Sequence, residues 1–122
     1  MASVITFVGE ERLVDVLVGT FGVLGSYIAW GSGAGTAGKG DTTLFTEESE
    51  SRVAGTVSKI GSGTTAKYQI VGTITASAPK TITNAGTFTA SSGGTLVFKG
   101  DFTGIVLGSG DAITFTVTAD PS

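Results

Sequence analysis

The amino-acid sequence predicts a mainly β protein, an antiparallel β-sandwich or barrel with one short N-terminal helix. Twenty glycines among 122 residues, many threonines and few charged side chains are typical of a β protein with many turns. Short runs of alternating apolar and polar residues also recur at close spacing through the second half of the chain. No linker or change of composition divides the sequence, so residues 1–122 are predicted to form a single β domain.

The N-terminus is interpreted as an apolar arm or a first strand over residues 1–8. It carries four β-favouring side chains, which are the candidate partner-binding residues: Val4, Ile5, Phe7 and Val8. A terminal segment this apolar either adds a strand to its own sheet or docks on a neighbouring subunit. Both alternatives stay open at this point.

A short helix is predicted over residues 10–18. Leu13, Val16, Leu17 and Phe21 recur at helical spacing, and acidic residues at the start suit the positive end of the helix dipole. Gly19 or Gly22 would end the helix. We expect its apolar stripe to pack on a sheet.

The remaining sequence is predicted to be strands, turns and one glycine-rich loop over residues 31–43. An apolar strand-like run at 27–30 precedes the loop. Later strands are expected around 53–60, over 68–76, 81–83, 87–90 and 95–98, around 102–107, and over 113–118, the last with the clearest alternation. Turns are expected at 61–63, 84–86, 91–94 and 108–111, and Ala78-Pro79 ends the strand before it.

Charge and missing residue types argue against several functions. Seven basic and ten acidic residues give a net charge of −3 without a Lys/Arg cluster, so no nucleic-acid partner is expected. The absence of histidine and cysteine removes the commonest general base, the usual zinc ligands and the usual nucleophilic triads. We therefore expect no enzymatic activity, no cofactor and no catalytic residues.

A membrane span is also not expected, although residues 13–30 are strongly apolar. Asp15 near the start and three internal glycines interrupt the run, which is shorter than the roughly 20 residues that a helical span needs. The sequence also lacks the basic segment that opens a signal peptide. The sequence predicts a soluble product made in the cytoplasm.

The glycine-rich loop contains two nucleotide-binding patterns without their structural context. Gly33 to Gly38 satisfies G-x-G-x-x-G, but no helical periodicity follows it. The same stretch continues as GxxxxGK and places Gly40 where a P-loop needs a serine or threonine hydroxyl. A flexible surface loop, whose glycines permit positive φ, is the preferred interpretation.

The carboxylates and the large aromatic residues could act in a functional site, but a structural role is the preferred interpretation for each. A glycosidase uses a pair of carboxylates, and two acidic clusters of this chain could supply them: Glu47, Glu48 and Glu50, or Glu10 and Glu11. Both clusters are interpreted as solvated faces. Calcium binding by Asp41 with Glu47 or Glu48 matches no known loop spacing, so no metal is predicted. The large aromatics are expected in the core or at a sheet edge, with sugar stacking as the alternative: Tyr27, Trp30 and Tyr68.

Several short motifs give the chain a resemblance to a known group of proteins. They are Trp30-Gly31-Ser32-Gly33, Gly40-Asp41-Thr42-Thr43-Leu44, the acidic stretch 47–52, Ile82-Thr83-Asn84-Ala85-Gly86-Thr87-Phe88, Gly93-Gly94-Thr95-Leu96 and Gly110-Asp111-Ala112-Ile113-Thr114-Phe115. With the N-terminal helix, this pattern resembles small tailed-bacteriophage virion structural proteins, which include capsid decoration proteins and tail-associated β domains. The motifs extend over most of the chain and consist mainly of glycines and turn residues.

The resemblance implies a capsid decoration (cement) protein on the virion surface, made in the host cytoplasm. Such a protein would bind the major capsid protein lattice as a homo-oligomer, preferentially a trimer, and would stabilise the head. A tail or tail-fibre-associated structural domain is the alternative that the same resemblance supports. A carbohydrate-binding module using Trp30 and Tyr27 is the alternative from a different functional class.

Overall fold

The computed structural model describes residues 3–19 and 26–119, which form a β-sandwich of two antiparallel sheets. Strands make up 49% of the chain and helices 14%, so the predicted mainly β class with one helix near the N-terminus is confirmed. Of the two predicted architectures the protein adopts the sandwich; it is not a closed barrel.

The described residues form eight strands and one α-helix in this order: β1 (Ser3–Ile5), α1 (Phe7–Val18), β2 (Tyr27–Gly31), β3 (Val53–Ala54), β4 (Thr56–Ile60), β5 (Lys67–Thr75), β6 (Lys80–Phe88), β7 (Leu96–Leu107) and β8 (Ala112–Ala119). A short 3-10 helix over Gly63–Thr65 precedes β5. One sheet has the order β1-β7-β6-β2-β3 and the other β4-β5-β8. The chain passes from the first sheet to the second at Gly55, between β3 and β4.

The core lies between the sheets and is centred on Trp30. The Trp30 side chain is 1% exposed and clusters with buried isoleucines of both sheets, among them Ile28 and Ile70. Phe115 of β8 packs edge-on against the indole at a centroid distance of 6.4 Å. A second cluster joins Leu44 of the long loop to strand residues that include Phe88. The loop after β2 therefore contributes to the core.

The N-terminal segment adds a strand to its own sheet. Ser3, Val4 and Ile5 pair antiparallel with Gly100, Lys99 and Phe98 of β7. The helix begins at Phe7 rather than at the predicted Glu10, because Thr6 is its N-cap and accepts a hydrogen bond from the N–H of Gly9 (3.0 Å). Phe7 and Val8 consequently belong to the first helical turn and not to an arm.

Most predicted turns and strands are present, with three differences. The turn predicted at 84–86 is wrong, because β6 runs through it to Phe88 with a register shift between Ile82 and Asn84. The strands predicted at 95–98 and around 102–107 are one strand, β7. The strand predicted around 53–60 is divided at Gly55. The turns at 91–94 and 108–111 are confirmed, with positive φ at Gly93, Gly94 and Gly110.

Within the described ranges, no helix has the length and apolar character needed to cross a membrane.

Candidate functional site

Four apolar side chains of α1 form an exposed surface, which we call the α1 surface. They are Leu13, Val14, Leu17 and Val18, with exposed fractions of 37%, 56%, 78% and 70%. The predicted packing of the helix on a sheet through Leu13, Val16 and Leu17 is therefore wrong for Leu17, and Phe21 lies outside the described residues. Contiguous exposed apolar surface of this kind marks a site of contact with other molecules.

The α1 surface is left open because the helix touches the sheet at its first turn. Gly9 is buried, and a Cβ atom built there would lie 2.7 Å from the carbonyl oxygen of Val97. The hydroxyl of Thr6 also donates to the carbonyl of Leu96 (2.5 Å), which fixes this end of the helix on β7. The close approach at Gly9 anchors α1, while Val14, Leu17 and Val18 in the later turns remain exposed.

A cleft of about 1210 Å³ opens between the two sheets beneath α1. Its lining is mainly apolar and comes from α1 and from strands of both sheets, through residues that include Val4, Leu13, Val16, Phe102, Phe115 and Val117. Among the described residues, the charged ones at the lining are Lys59, Lys67 and Lys99, and the ammonium group of Lys99 is bonded to Asp41 of the long loop. The cleft is therefore a mainly apolar space between the two sheets.

Lys99 ties the long loop to β7. Its buried ammonium group donates to a carboxylate oxygen of Asp41 (2.9 Å) and to the carbonyl of Thr43 (2.8 Å), and lies 3.3 Å from the ring centroid of Phe45. The backbone N–H of Gly38, followed by the side chain of Lys99, lowers the pKa of Asp41 below its usual value. Asp41 is therefore a structural anion that holds the loop in place.

Asn84 of β6 fixes the same loop at Phe45. Its side-chain oxygen accepts from the N–H of Phe45 (3.0 Å) and its amide nitrogen donates to the Phe45 carbonyl (3.0 Å). The Phe45 ring in turn packs on Gly35, whose φ of +154° and contact of 2.7 Å from a built Cβ to the ring leave no room for a side chain. The segment predicted as a flexible loop thus has an extensive set of intramolecular contacts.

The acidic stretch after the loop is an ion-paired cluster rather than the predicted solvated face. Glu50 accepts hydrogen bonds from the indole N–H of Trp30 (3.1 Å), from the backbone N–H of Ser77 (2.9 Å) and from Lys80. Lys80 also bonds Glu48 (3.1 Å), which accepts from the Ser32 hydroxyl (2.7 Å). This cluster joins the loop to the start of β6 and to the core tryptophan.

The pKa values of the two glutamates follow from these contacts. Burial acts to raise the pKa of Glu50, but hydrogen bonds from Lys80, Ser77 and Trp30 outweigh it and lower the pKa to about 2. The Ser32 hydroxyl, followed by Lys80, lowers the pKa of Glu48. Both carboxylates are therefore ionised at neutral pH.

The cluster makes a prediction about acid stability. The pKa of Glu50 is about 2 in the folded protein, against an ordinary value of 4.5. The stabilisation of the folded state by ionised Glu50 is therefore fully present above pH 4.5 and is lost as the pH falls through 2. Glu50→Gln should therefore show a smaller loss of unfolding free energy between pH 5 and pH 2 than the wild type, measured by urea denaturation at stepped pH. Parallel curves for the two proteins would contradict this role of Glu50. Glu11→Gln, at an exposed helix position, is the matched control and should follow the wild-type curve.

Arg52 closes the far end of the stretch. Its guanidinium forms a two-point ion pair with Glu47 (2.9 and 3.1 Å) and donates to the carbonyls of Ala90 and Gly93 in the β6–β7 connection. It also lies 3.5 Å from the ring centroid of Phe88. Arg52 and Glu47 thus hold the hairpin turn against the end of the long loop.

The structure lends no support to a nucleotide site at the glycine-rich loop or to a metal site at the acidic residues. No helix follows the glycines of the loop: the next helical residues among those described are the 3-10 turn at Gly63. Within 3–19 and 26–119, no group of three or more acidic, histidine or cysteine side chains could hold a metal ion. Asp41, Glu47 and Glu48 are instead each bonded to a lysine or arginine.

The chain matches no family model, no curated protein and no solved structure.

The structure separates the four candidate partner-binding residues. Val4 and Ile5 are half-buried in β1, Val8 is half-buried in α1, and Phe7 is 61% exposed. Three residues that organise the loop have no functional signature in the sequence: Lys80, Lys99 and Asn84. Each lysine is an isolated charge in a strand, and the local pattern Asn84-Ala85-Gly86 predicts a turn instead of a buried contact.

Proposed function

We propose that this protein is a structural subunit of a bacteriophage virion, a decoration protein that binds the major capsid protein lattice and stabilises the head. The observation that carries the proposal is the α1 surface. Its exposed valine and leucine side chains are better suited to contact with other proteins than to water. The motif resemblance supplies the virion context.

The mode of action is adhesive. The α1 surface lies beside the cleft, because Leu13 belongs to both, so a capsid subunit docked on the helix would also cover the mouth of the cleft. Repetition of this contact over a shell would strengthen the assembly, since each copy touches more than one neighbour. The homo-oligomer, preferentially a trimer, belongs to this proposal.

A tail-associated structural domain is the second candidate, supported by the same motifs and the same apolar surface. The carbohydrate-binding alternative receives less support, because Trp30 is 1% exposed and Tyr27 is half-buried, so neither presents an open ring face to a sugar.

The proposal is tested by the copy number of the protein in purified virions, measured by quantitative mass spectrometry against the major capsid protein. A fixed ratio near one, or a large fixed fraction of one, is the expected result. A handful of copies in each particle would place the protein in the tail instead. Absence from the particle would refute the virion role.

The α1 surface gives a second test by substitution. Leu17→Gln with Val18→Gln keeps good helix-forming side chains and removes apolar surface, so the unfolding free energy should change by only about 0.5 kcal/mol. Occupancy of capsids by the double variant should fall by about tenfold or more, as expected when central apolar contacts are lost. The occupancy is measured by co-sedimentation with capsids that lack the protein. Glu11→Gln is the matched control, and full occupancy by the double variant would exclude the α1 surface as the contact.

A further inference from the structure

The walls of the cleft carry apolar side chains that the two sheets do not cover. In a β-sandwich the side chains of the two inner faces usually interdigitate across about 10 Å. Here Phe98 and Phe102 of β7, with Phe115 and Val117 of β8, line the cleft and are only half-buried. An apolar molecule that covers these side chains would be held by the hydrophobic effect.

A row of small residues on the five-stranded sheet accounts for the shape of the cleft. Ala85 of β6 pairs with Gly100 of β7, and Gly100 pairs with Ser3 of β1, so these three residues lie side by side. We call them the small-residue row, and all three line the cleft. The opposite wall carries larger side chains, among them Tyr68 and Phe115. A space bounded in this way between two sheets suits a flat molecule.

A buried hydroxyl group without a hydrogen-bond partner lies beside the small-residue row. Thr87 of β6 pairs with Ile28 of β2 and with Phe98 of β7, which both line the cleft. Because directly paired residues point to the same face of a sheet, the Thr87 side chain is on the cleft side. It is 0% exposed, and its Oγ1 atom has no hydrogen-bond partner among the described residues. An unpaired buried hydroxyl indicates a partner that the chain itself does not supply.

The lysines at the lining favour a neutral ligand. Tyr68 packs against the core, so strand alternation places the side chain of the neighbouring Lys67 on the outer face of its sheet. The ammonium group of Lys99 is bonded to Asp41 of the long loop. Lys59 is exposed on the edge strand β4. A charged group deep in the cleft would therefore lose its hydration without gaining an ion pair.

The walls also favour a small molecule over a peptide strand. β5 and β6 lie inside their sheets and have a hydrogen-bonded neighbour on each side, so they present side chains to the cleft rather than free backbone groups. A peptide would leave many of its N–H and C=O groups unpaired among apolar side chains, which is unfavourable. A small molecule with few polar groups avoids this cost.

We propose that the cleft binds a neutral, flat and mainly apolar small molecule that carries one hydrogen-bonding group. Its apolar body would lie between the small-residue row and Phe115, beneath α1. Its polar group would reach the hydroxyl of Thr87 when the half-buried ring of Phe98 turns aside. The proposal stands on the cleft and does not depend on the virion assignment.

The first test uses N-phenylnaphthylamine, a neutral and flat probe that fluoresces in apolar surroundings. The full chain should bind it saturably with a dissociation constant of about 1–100 μM, as expected for a ligand of this size. Ala119→Trp, at a half-buried lining position of β8, should weaken binding by about tenfold or more, because the indole occupies part of the cleft. Ala112→Trp is the matched control, since Ala112 is exposed on the same strand and outside the lining. Absence of saturable binding, or an equal loss in the control, would overturn the proposal.

The same probe must be distinguished from a ligand of the α1 surface. Leu17→Gln with Val18→Gln removes exposed apolar side chains that are not part of the cleft lining, so the affinity for the probe should stay unchanged. Loss of binding in this double variant, with full binding by Ala119→Trp, would place the probe on the α1 surface and overturn the cleft as its site. Neither result bears on the virion role, which is tested on capsids.

Thr87→Val tests the hydrogen bond to the ligand. Naphthol and naphthalene share a flat apolar body, but only naphthol carries a hydroxyl, and each can be titrated by displacement of the probe. The substitution should weaken naphthol binding by about threefold to tenfold and leave naphthalene unchanged. The unfolding free energy should not fall, because Thr87 Oγ1 has no hydrogen bond to lose. An equal effect on both compounds, or no effect on naphthol, would refute the contact with Thr87.

Discussion

Replacing Trp30 with alanine is expected to destabilise the protein by about 3–5 kcal/mol, the usual loss for a large aromatic side chain in a core. Trp30 is 1% exposed and contacts residues of both sheets, so alanine would leave a cavity between them. The substitution also removes the indole N–H that donates to Glu50. The measurement is the unfolding free energy from urea denaturation at pH 7.

Trp30→Phe separates the loss of core packing from the loss of the hydrogen bond to Glu50. Phenylalanine fills much of the space but donates no hydrogen bond, so the loss should be smaller and should include about 1–2 kcal/mol for the carboxylate that loses a donor. In the Glu50→Gln background the difference between tryptophan and phenylalanine should shrink, because the acceptor is no longer charged. Equal stability of Trp30→Ala and the wild type would contradict the central place of this residue in the core.

Replacing Lys99 with methionine is expected to cost about 2–4 kcal/mol. The lysine side chain is fully buried, and its removal leaves the Thr43 carbonyl and the Asp41 carboxylate without their donor. The Asp41 carboxylate is partly exposed, with 28% of the side chain accessible, so water replaces part of the lost interaction and the value should lie in the lower half of that range. Urea denaturation measures the change.

Lys39→Met is the matched control for Lys99→Met. Lys39 belongs to the same loop but is 46% exposed, and its partner Glu10 is equally exposed, so the change should cost less than about 1 kcal/mol. In a double-mutant cycle, Asp41→Asn should cost less in the Lys99→Met protein than in the wild type. Additive effects of the two substitutions would show that the pair does not act as a unit.

The fold was predictable where the pattern of neighbouring residues decides the structure. The alternation over 113–118 predicted β8, and the glycines at 93, 94 and 110 marked turns that need positive φ. Asn84-Ala85-Gly86 shows where this reasoning fails. Asparagine and glycine favour turns locally, but here Asn84 is fully buried and bonds the backbone of Phe45, a partner 39 positions away. Tertiary contacts overrode the local preference.

The candidate site was less predictable than the fold, for the same reason. The apolar spacing in α1 predicted a helix, but which apolar residues stay exposed depends on the contact of Gly9 with Val97 of β7. The acidic stretch shows the same dependence, since Glu50 meets Lys80 and Ser77 only after β6 has folded beside it. Contacts between distant parts of the chain therefore decide which apolar residues of α1 are exposed and which glutamates form ion pairs.

The hydrogen bond from Thr6 to Leu96 has a consequence for synthesis of the chain on the ribosome. The two residues are 90 positions apart, so at about 5–20 residues per second the N-terminal segment waits roughly 5–20 s before its partner is translated. During that interval β1 has no strand to pair with, and the apolar residues of α1 lack the anchor that Thr6 and Gly9 later provide. The nascent chain is therefore expected to be most prone to aggregation early, and co-translational chaperones that cover its first residues should raise the soluble yield more than those acting after release.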